Sequence, residues 1–373
     1  MDFPRIPTDL LPADGRFGSG PSRVRPEALA ALAAAGPAYL GTRHRGAGVK
    51  AVVARLRRGL TALFALPEGY QVVLGNGGAS AFWDAAAFCL IERRSAHAVF
   101  GEFSARFAAV AAGAPHLADP VVIESPVGTH PDLYPDPTVD LYALTQNETS
   151  TGVMAPVARP ATEGLVAVDA TSAAGAIPVD PVSFDAYYFS PQKVFGSEGG
   201  LWTALLSPAA LARARALAGS RWVPPFLDLR AAAEASAADQ TYNTPALATL
   251  FLFADQVEWI LGRGGLEWAG RRQEQAAAIV YGWAERSDYA TPFVPDPAKR
   301  SRTLAAIDLD PAVEAGVLNR ALTANGIVDT GAYRRLGRNQ IRIGMFPNVA
   351  LEDLERLTAA IDWLVPRLPG RSP

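Results

Sequence analysis

The stretch AYYFSPQKVFGSEGGLW, residues 186–202, runs from an apolar segment through a lone lysine into a glycine-rich turn, then out into another apolar segment. Short apolar runs bounded by polar or glycine-rich turns mark buried strands, and this one belongs to a series. YQVVLG, HAVFG, PVVIES, VDLYALT, LVAVDA, DAYYFS and LWTALLS all lie between about Tyr70 and Leu206, several of them separated by helical segments such as ASAFWDAAAFCLI and FSARFAAVAAG. Strands alternating with helices predict an α/β fold, with a mostly parallel seven-stranded sheet covered by helices on both faces. Ligands bind such sheets beyond the carboxyl ends of the strands. The polar endings of these runs are therefore where chemistry is sought.

After YNTPALATLFLFADQVEWIL, which reads as a long connecting helix, the texture changes. EWAGRRQEQAAAIVYGWAER, the β-like runs TLAAIDL and QIRIGMF, and the helical LEDLERLTAAIDWLV predict a smaller C-terminal α+β domain. The expected division is a large domain over 16–255 and a small one over 256–373, with an N-terminal arm, 1–15, packing against either. At 373 residues with a net charge of −3, the chain has no broad basic field for nucleic acid or acidic membranes. Basic residues cluster only locally, in TRHRG and YRRLGR, so anion recognition is confined to a site. The single cysteine, Cys89, cannot form an internal disulfide, which fits a reducing compartment. The N-terminus lacks an apolar signal segment and no run is long enough to span a bilayer, so a soluble cytoplasmic protein is expected. No metal-binding pattern is read.

Only Lys50, Lys193 and Lys299 are lysines among the 34 Lys+Arg residues. A surface lysine at a strand end is the ordinary reading of Lys193. Its rarity and the following FGSEGG point instead to chemistry that arginine cannot perform, because a lysine amine can be tuned to condense with a carbonyl and a guanidinium cannot. Asp169 ends LVAVDA. It reads as a turn-capping aspartate or as a carboxylate facing the ligand crevice. A lysine and an acid on nearby strands are what pyridoxal phosphate requires, one for its carbonyl and one for its ring nitrogen. VLGNGGASAFW runs through glycines into a helix start, where the amides of Gly78, Ala79 and Ser80 suit a phosphate, although a plain turn reads the same. Phe103 in GEFSARF is either core or a platform for a planar ring. Thr149 in TQNETSTGV is either loop or a hydroxyl beside the cofactor.

Taken in order, GSGPS, RHRG, NETSTG, VDATS, SPQK and YNTP resemble the motifs of phosphoserine aminotransferases, class V of the fold-type I pyridoxal-phosphate enzymes, and look closest to the actinobacterial branch. The resemblance runs from about Phe17 to Val365. It implies Lys193 as the residue bonded to the cofactor and Asp169 as the partner of its ring nitrogen. It further implies Phe103 stacked on the ring (where many relatives carry tryptophan), Thr149 at the phenolic oxygen, and Gln192 with Gly78 and Ala79 or Ser80 at the phosphate. Asn243 and Thr244 match a pair reaching across a homodimer interface to the partner's cofactor. His44 and Arg45 match a substrate-binding pair, and Arg342 an arginine at the substrate carboxylate. Two departures stand out. The glycine loop, GGASA, lacks an arginine that many members carry, and AYRRLGR replaces a His-Arg pair, so Arg334 or Arg335 is expected at the substrate phosphate, with Arg338 the lesser candidate. The implied reaction is a ping-pong amino transfer from L-glutamate to 3-phosphohydroxypyruvate in serine biosynthesis, and some members of the family also form 4-phosphohydroxythreonine in pyridoxine biosynthesis. The rival within the fold is another class V enzyme of serine–pyruvate or alanine–glyoxylate type. A desulfurase needs a reactive cysteine on a mobile loop, and Cys89 sits in an apolar helical stretch. A non-enzymatic phosphometabolite-binding regulator would have no use for Lys193 with Asp169.

Overall fold

A computed structural model describes residues 3–368. Its strands, in chain order, are β1 (Gln71–Asn76), β2 (Ser95–Val99), β3 (Val121–Glu124), β4 (Leu141–Thr145), β5 (Asn147–Glu148), β6 (Val153–Met154), β7 (Leu165–Asp169), β8 (Ala186–Phe189), β9 (Leu201–Leu206), β10 (Ala290–Pro292), β11 (Leu304–Leu309) and β12 (Gln340–Gly344). Seven of them form one sheet in the order β1-β9-β8-β7-β4-β2-β3. Only β9 runs against the rest, antiparallel to both β1 and β8. Apart from the edge strand β3, whose Val122 and Glu124 are exposed, the strands of this sheet are buried on both faces, which is why they are continuously apolar rather than alternating. Along β8 the period of two still sorts the side chains: Tyr187 and Phe189 enter one core, Ala186 and Tyr188 the other.

The first of these cores lies under helices 47–63 and 247–261, and the second under helices 79–89, 102–113, 208–220 and 229–237. The helix boundaries follow local chemistry. Ser207 accepts a hydrogen bond from the Ala210 amide with Pro208 at the first helical position, and Asp228 accepts from Arg230 and Ala231. The segment read as one connecting helix begins at Leu247 and ends at Leu261. Gly262–Gly265, with Gly264 left-handed, breaks it before helix 265–286.

That second helix opens a separate core, in which β10, β11 and β12 form an antiparallel sheet against helices 265–286, 315–324 and 351–364. The N-terminal arm packs here rather than on the large sheet. Ile6 and Phe17 are buried in this core, and the Phe17 carbonyl accepts from the Gly344 amide at 2.8 Å. The hairpin of β5 and β6 has no counterpart in the sequence reading, because two-residue strands are too short to carry a period. It nonetheless folds Asn147, Glu148 and Thr149 into a buried position beyond the end of β4.

Candidate active site

Asp169 is the last residue of β7, in register with Thr145 on β4 and Tyr188 on β8, so it stands at the carboxyl edge of the sheet. It is buried, and the Thr171 amide donates to its Oδ1 at 2.9 Å. Burial raises the pKa of this carboxyl, while hydrogen bonding from Thr171 and the charge of Lys193 oppose the rise. Four residues beyond β8, Lys193 is also buried, and its Nζ donates to Thr149 Oγ1 at 2.8 Å. Burial pulls the pKa of this amine down from 10.5 to about 8, against the pull of Asp169 and Glu148. A substantial fraction is thus neutral, and nucleophilic, near physiological pH.

The N-terminal GSGPS segment braces this lysine. The Ser22 amide donates to the Gln192 carbonyl at 2.7 Å, and the Ser22 hydroxyl donates to the Lys193 carbonyl. Gly20, at φ +128°, lies against the side chain itself. An added Cβ would stand 2.9 Å from both Cγ and Cε of Lys193, so only glycine fits.

Phe103 enters from the start of helix 102–113. The Glu148 carboxylate caps that helix, accepting from the amides of Phe103 and Ser104 at 3.1 and 3.0 Å and from the Ser104 and Ser150 hydroxyls at 3.1 and 2.7 Å. These bonds offset the cost of burying a carboxyl, which by itself pushes the Glu148 pKa up. They also fix the Phe103 ring, whose centroid lies 5.1 Å from Lys193 Nζ and 6.2 Å from the Tyr333 ring. An added Cβ at Gly101 would overlap the Glu148 side chain, so a glycine permits the cap. Beyond Tyr333, Arg342 donates to the carbonyls of Thr149 and Gly331, each at 3.2 Å, with its guanidinium 5.2 Å over the Tyr333 ring.

These groups surround a cavity of about 360 Å³, within the range of small-ligand sites. It brings together Gly78, Ala79, Ser80, Phe103, Thr149, Asp169, Gln192, Lys193 and Arg342, all expected from the sequence. It also includes Trp83, Arg106, Asn147, Thr171 and Tyr333, which the sequence reading did not assign to the site. Arg106 was within reach of that reading, because it lies three residues after Phe103 on one helix face. His44, Arg45, Asn243 and Thr244 lie outside this cavity. They form a separate group in which His44 Nδ1 and Thr244 Oγ1 are 3.1 Å apart and Asn76 Nδ2 donates to the Thr244 carbonyl at 2.9 Å. Arg334 and Arg335 do not line the cavity either. Arg335 is paired with Glu102, Arg334 is exposed, and Arg338 is paired with Asp308. Cys89 is buried elsewhere, with its thiol pushed up to about 12 by burial, and so carries no thiolate chemistry.

The donor set fits pyridoxal phosphate. Lys193 offers an amine for a carbonyl, Asp169 a buried carboxylate for a ring nitrogen, and Phe103 a flat face. Helix 79–89 begins at the cavity with no side chain capping its first turn, which leaves backbone donors for a phosphate. Among the described residues, Gln192 Oε1, Thr171 Oγ1 and Asn147 Oδ1 are buried there without hydrogen-bond partners, as expected where a polar ligand completes the site.

Comparison with known proteins agrees. Residues 132–357 match the family described as aminotransferase class-V. A Rhodococcus jostii protein named phosphoserine aminotransferase is 55% identical over 368 residues, covering 98% of this chain and 99% of its own. A Mycobacterium avium relative, 58% identical over 98% of both chains, carries the same name provisionally. The crystal structure of a phosphoserine aminotransferase from Cytophaga hutchinsonii superposes with a TM-score of 0.85 over 94% of this chain and 98% of that one, at 24% identity, so the fold outlasts most of the sequence. This chain belongs to the class-V aminotransferases, transaminases that depend on pyridoxal phosphate.

Proposed function

We propose that this chain is a phosphoserine aminotransferase. In this reading it moves an amino group from L-glutamate to 3-phosphohydroxypyruvate, yielding 2-oxoglutarate and O-phospho-L-serine. The observation that carries the reading is a buried lysine and a buried aspartate facing one cavity whose wall also presents two arginines, Arg106 and Arg342. Substrates with an anionic group at each end need such a wall, and arginine's planar fork grips carboxylate and phosphate alike. A serine–pyruvate type enzyme handles a substrate with one anionic end and gains nothing from the second arginine.

Pyridoxal phosphate supplies a carbonyl that condenses with amines and a protonated ring that draws electrons from the bond being broken. The chain's residues do the rest. Asp169 would keep a proton on the cofactor's ring nitrogen, and Phe103 would offer its flat face to the ring and exclude water from it. With the cofactor bound, the Lys193 amine would serve as the base that takes up and returns the proton of the substrate α-carbon. Thr149 holds Lys193 in reach and is itself fixed by donating to Ser172 Oγ at 2.9 Å. Arg342, oriented by two backbone carbonyls, receives the α-carboxylate. Incubating the cofactor-loaded protein with glutamate and 3-phosphohydroxypyruvate should give phosphoserine and 2-oxoglutarate in equal amounts. Failure to form phosphoserine would refute the reading.

The functional unit in this reading is a homodimer. His44, Arg45, Asn243 and Thr244 serve a cavity only if a second subunit presents them to it, and the exposed apolar residues Leu40 and Tyr242 flank the same loops. Arg45→Ala and Lys193→Ala variants, each inactive alone, should therefore regain about a quarter of wild-type activity when unfolded together and refolded, because random pairing makes half the dimers mixed and each mixed dimer keeps one intact site. No recovery in dimers shown to be mixed would mean that each subunit works alone.

A further inference from the structure

We propose that Arg106 reads the distal phosphate of the substrate from the subunit's own wall of the cavity. The assignment rests on the phosphoserine reading above and sharpens it, since the sequence pointed to Arg334 or Arg335 instead. Three cationic side chains line the cavity: Arg106, Lys193 and Arg342. Lys193 is committed to the cofactor, and Arg342 is anchored by two backbone carbonyls beside Thr149. A doubly anionic substrate needs a cation at its second end as well, and within the subunit's own cavity wall Arg106 is the one not already engaged, alongside the Arg45 that the dimer described above would bring to the same cavity.

Its surroundings leave it free for that task. Glu102 lies four residues before Arg106 on the same helix, the spacing at which an acid and an arginine ordinarily pair. Here the Glu102 carboxylate is taken by Arg335 instead. Among the described residues, no carboxylate pairs with Arg106 and no hydrogen bond engages it. Its guanidinium lies 5.4 Å from the ring centroid of Trp83, another wall of the cavity. A face-on aromatic contact steadies a guanidinium while leaving its N–H groups pointing outward, available to phosphate oxygens. Arg106 also sits one helical turn beyond Phe103 on the same face, so a substrate held against the ring that Phe103 supports would extend toward it. Arg335 then has a different part. It holds Glu102 away from Arg106 and ties the turn Arg334–Leu336, with Tyr333 before it, to the start of the Phe103 helix.

The test is the selectivity of the holoenzyme, measured as kcat/KM for amine donation by phosphoserine relative to serine. Arg106→Ala should lower that ratio by about 10- to 100-fold, the loss expected when a charged group forfeits its hydrogen bonds, with the change falling in KM for phosphoserine. Arg106→Lys should restore most of it, and cofactor content read by absorbance should match wild type in both variants. In an Arg106→Ala background, Arg335→Ala should cost nothing further, because its influence passes through Arg106. Wild-type selectivity in Arg106→Ala would overturn the assignment. So would a loss of bound cofactor in that variant, which would place Arg106 at the cofactor phosphate, or an undiminished Arg335→Ala effect in the double variant, which would place Arg335 on the substrate. If the wild-type enzyme itself fails to prefer phosphoserine, the functional reading falls and this assignment with it. If wild type is selective and Arg106→Ala equally so, only the assignment falls.

Discussion

Replacing Lys193 with alanine should abolish turnover, lowering kcat by about 10⁴-fold or more, since one residue supplies both the covalent anchor and the proton carrier. Borohydride treatment followed by peptide mass spectrometry should fix the cofactor to the Lys193 peptide in wild type and to no peptide in the variant. The variant should fold. Lowering the pKa of a buried lysine from 10.5 to about 8 costs the folded apoprotein roughly 3 kcal/mol at neutral pH. Because the folded value lies below the unfolded one, that penalty is full below about pH 8 and fades as the pH rises toward 10.5. Lys193→Ala apoprotein should accordingly melt no lower than wild type at pH 7. The same depressed value predicts that wild-type apoprotein takes up pyridoxal phosphate faster as the pH rises, about tenfold per unit below pH 8, and levels off above it. A flat uptake profile between pH 6 and 9 would mean that the amine is not held as its burial implies.

The second large effect belongs to Asp169. Substituting asparagine preserves shape but removes the charge that keeps a proton on the ring nitrogen. Turnover should fall by about 10³-fold, the scale of losing one well-placed electrostatic group in a closed site. The loss should appear in kcat for both half-reactions alike, with smaller changes in KM, because both pass through the same electron-withdrawing ring. Cofactor should remain attached, since Lys193 and the start of helix 79–89 are untouched. A variant retaining kcat within tenfold of wild type would show that Asp169 is only a buried turn residue, satisfied by the Thr171 amide.

Lys193 and Asp169 were legible in the sequence because strand-forming runs end at or just before them, and in a parallel sheet such ends face the ligand. Gly78 and Phe103 were legible for the same reason, each following a strand into a helix. The contacts that complete the site join distant parts of the chain and leave no periodic trace. Glu148 caps a helix that begins 46 residues earlier, and Arg335 is drawn to Glu102 at the start of that helix rather than into the cavity. Counting arginines near the last strand therefore pointed to Arg334 and Arg335, whereas the cavity presents Arg106. The pairing of His44 with Thr244 is equally silent in sequence, because its two loops lie 200 residues apart.

The most direct test of the account is a single-turnover titration of the pyridoxal-phosphate form with phosphoserine, serine and alanine, followed by cofactor absorbance. The account predicts that phosphoserine converts the cofactor to its amine form at micromolar to millimolar concentrations, with kcat/KM at least about 100-fold above that for serine or alanine. Equal conversion by serine would contradict it, and would assign the two-arginine cavity to some other dianionic substrate.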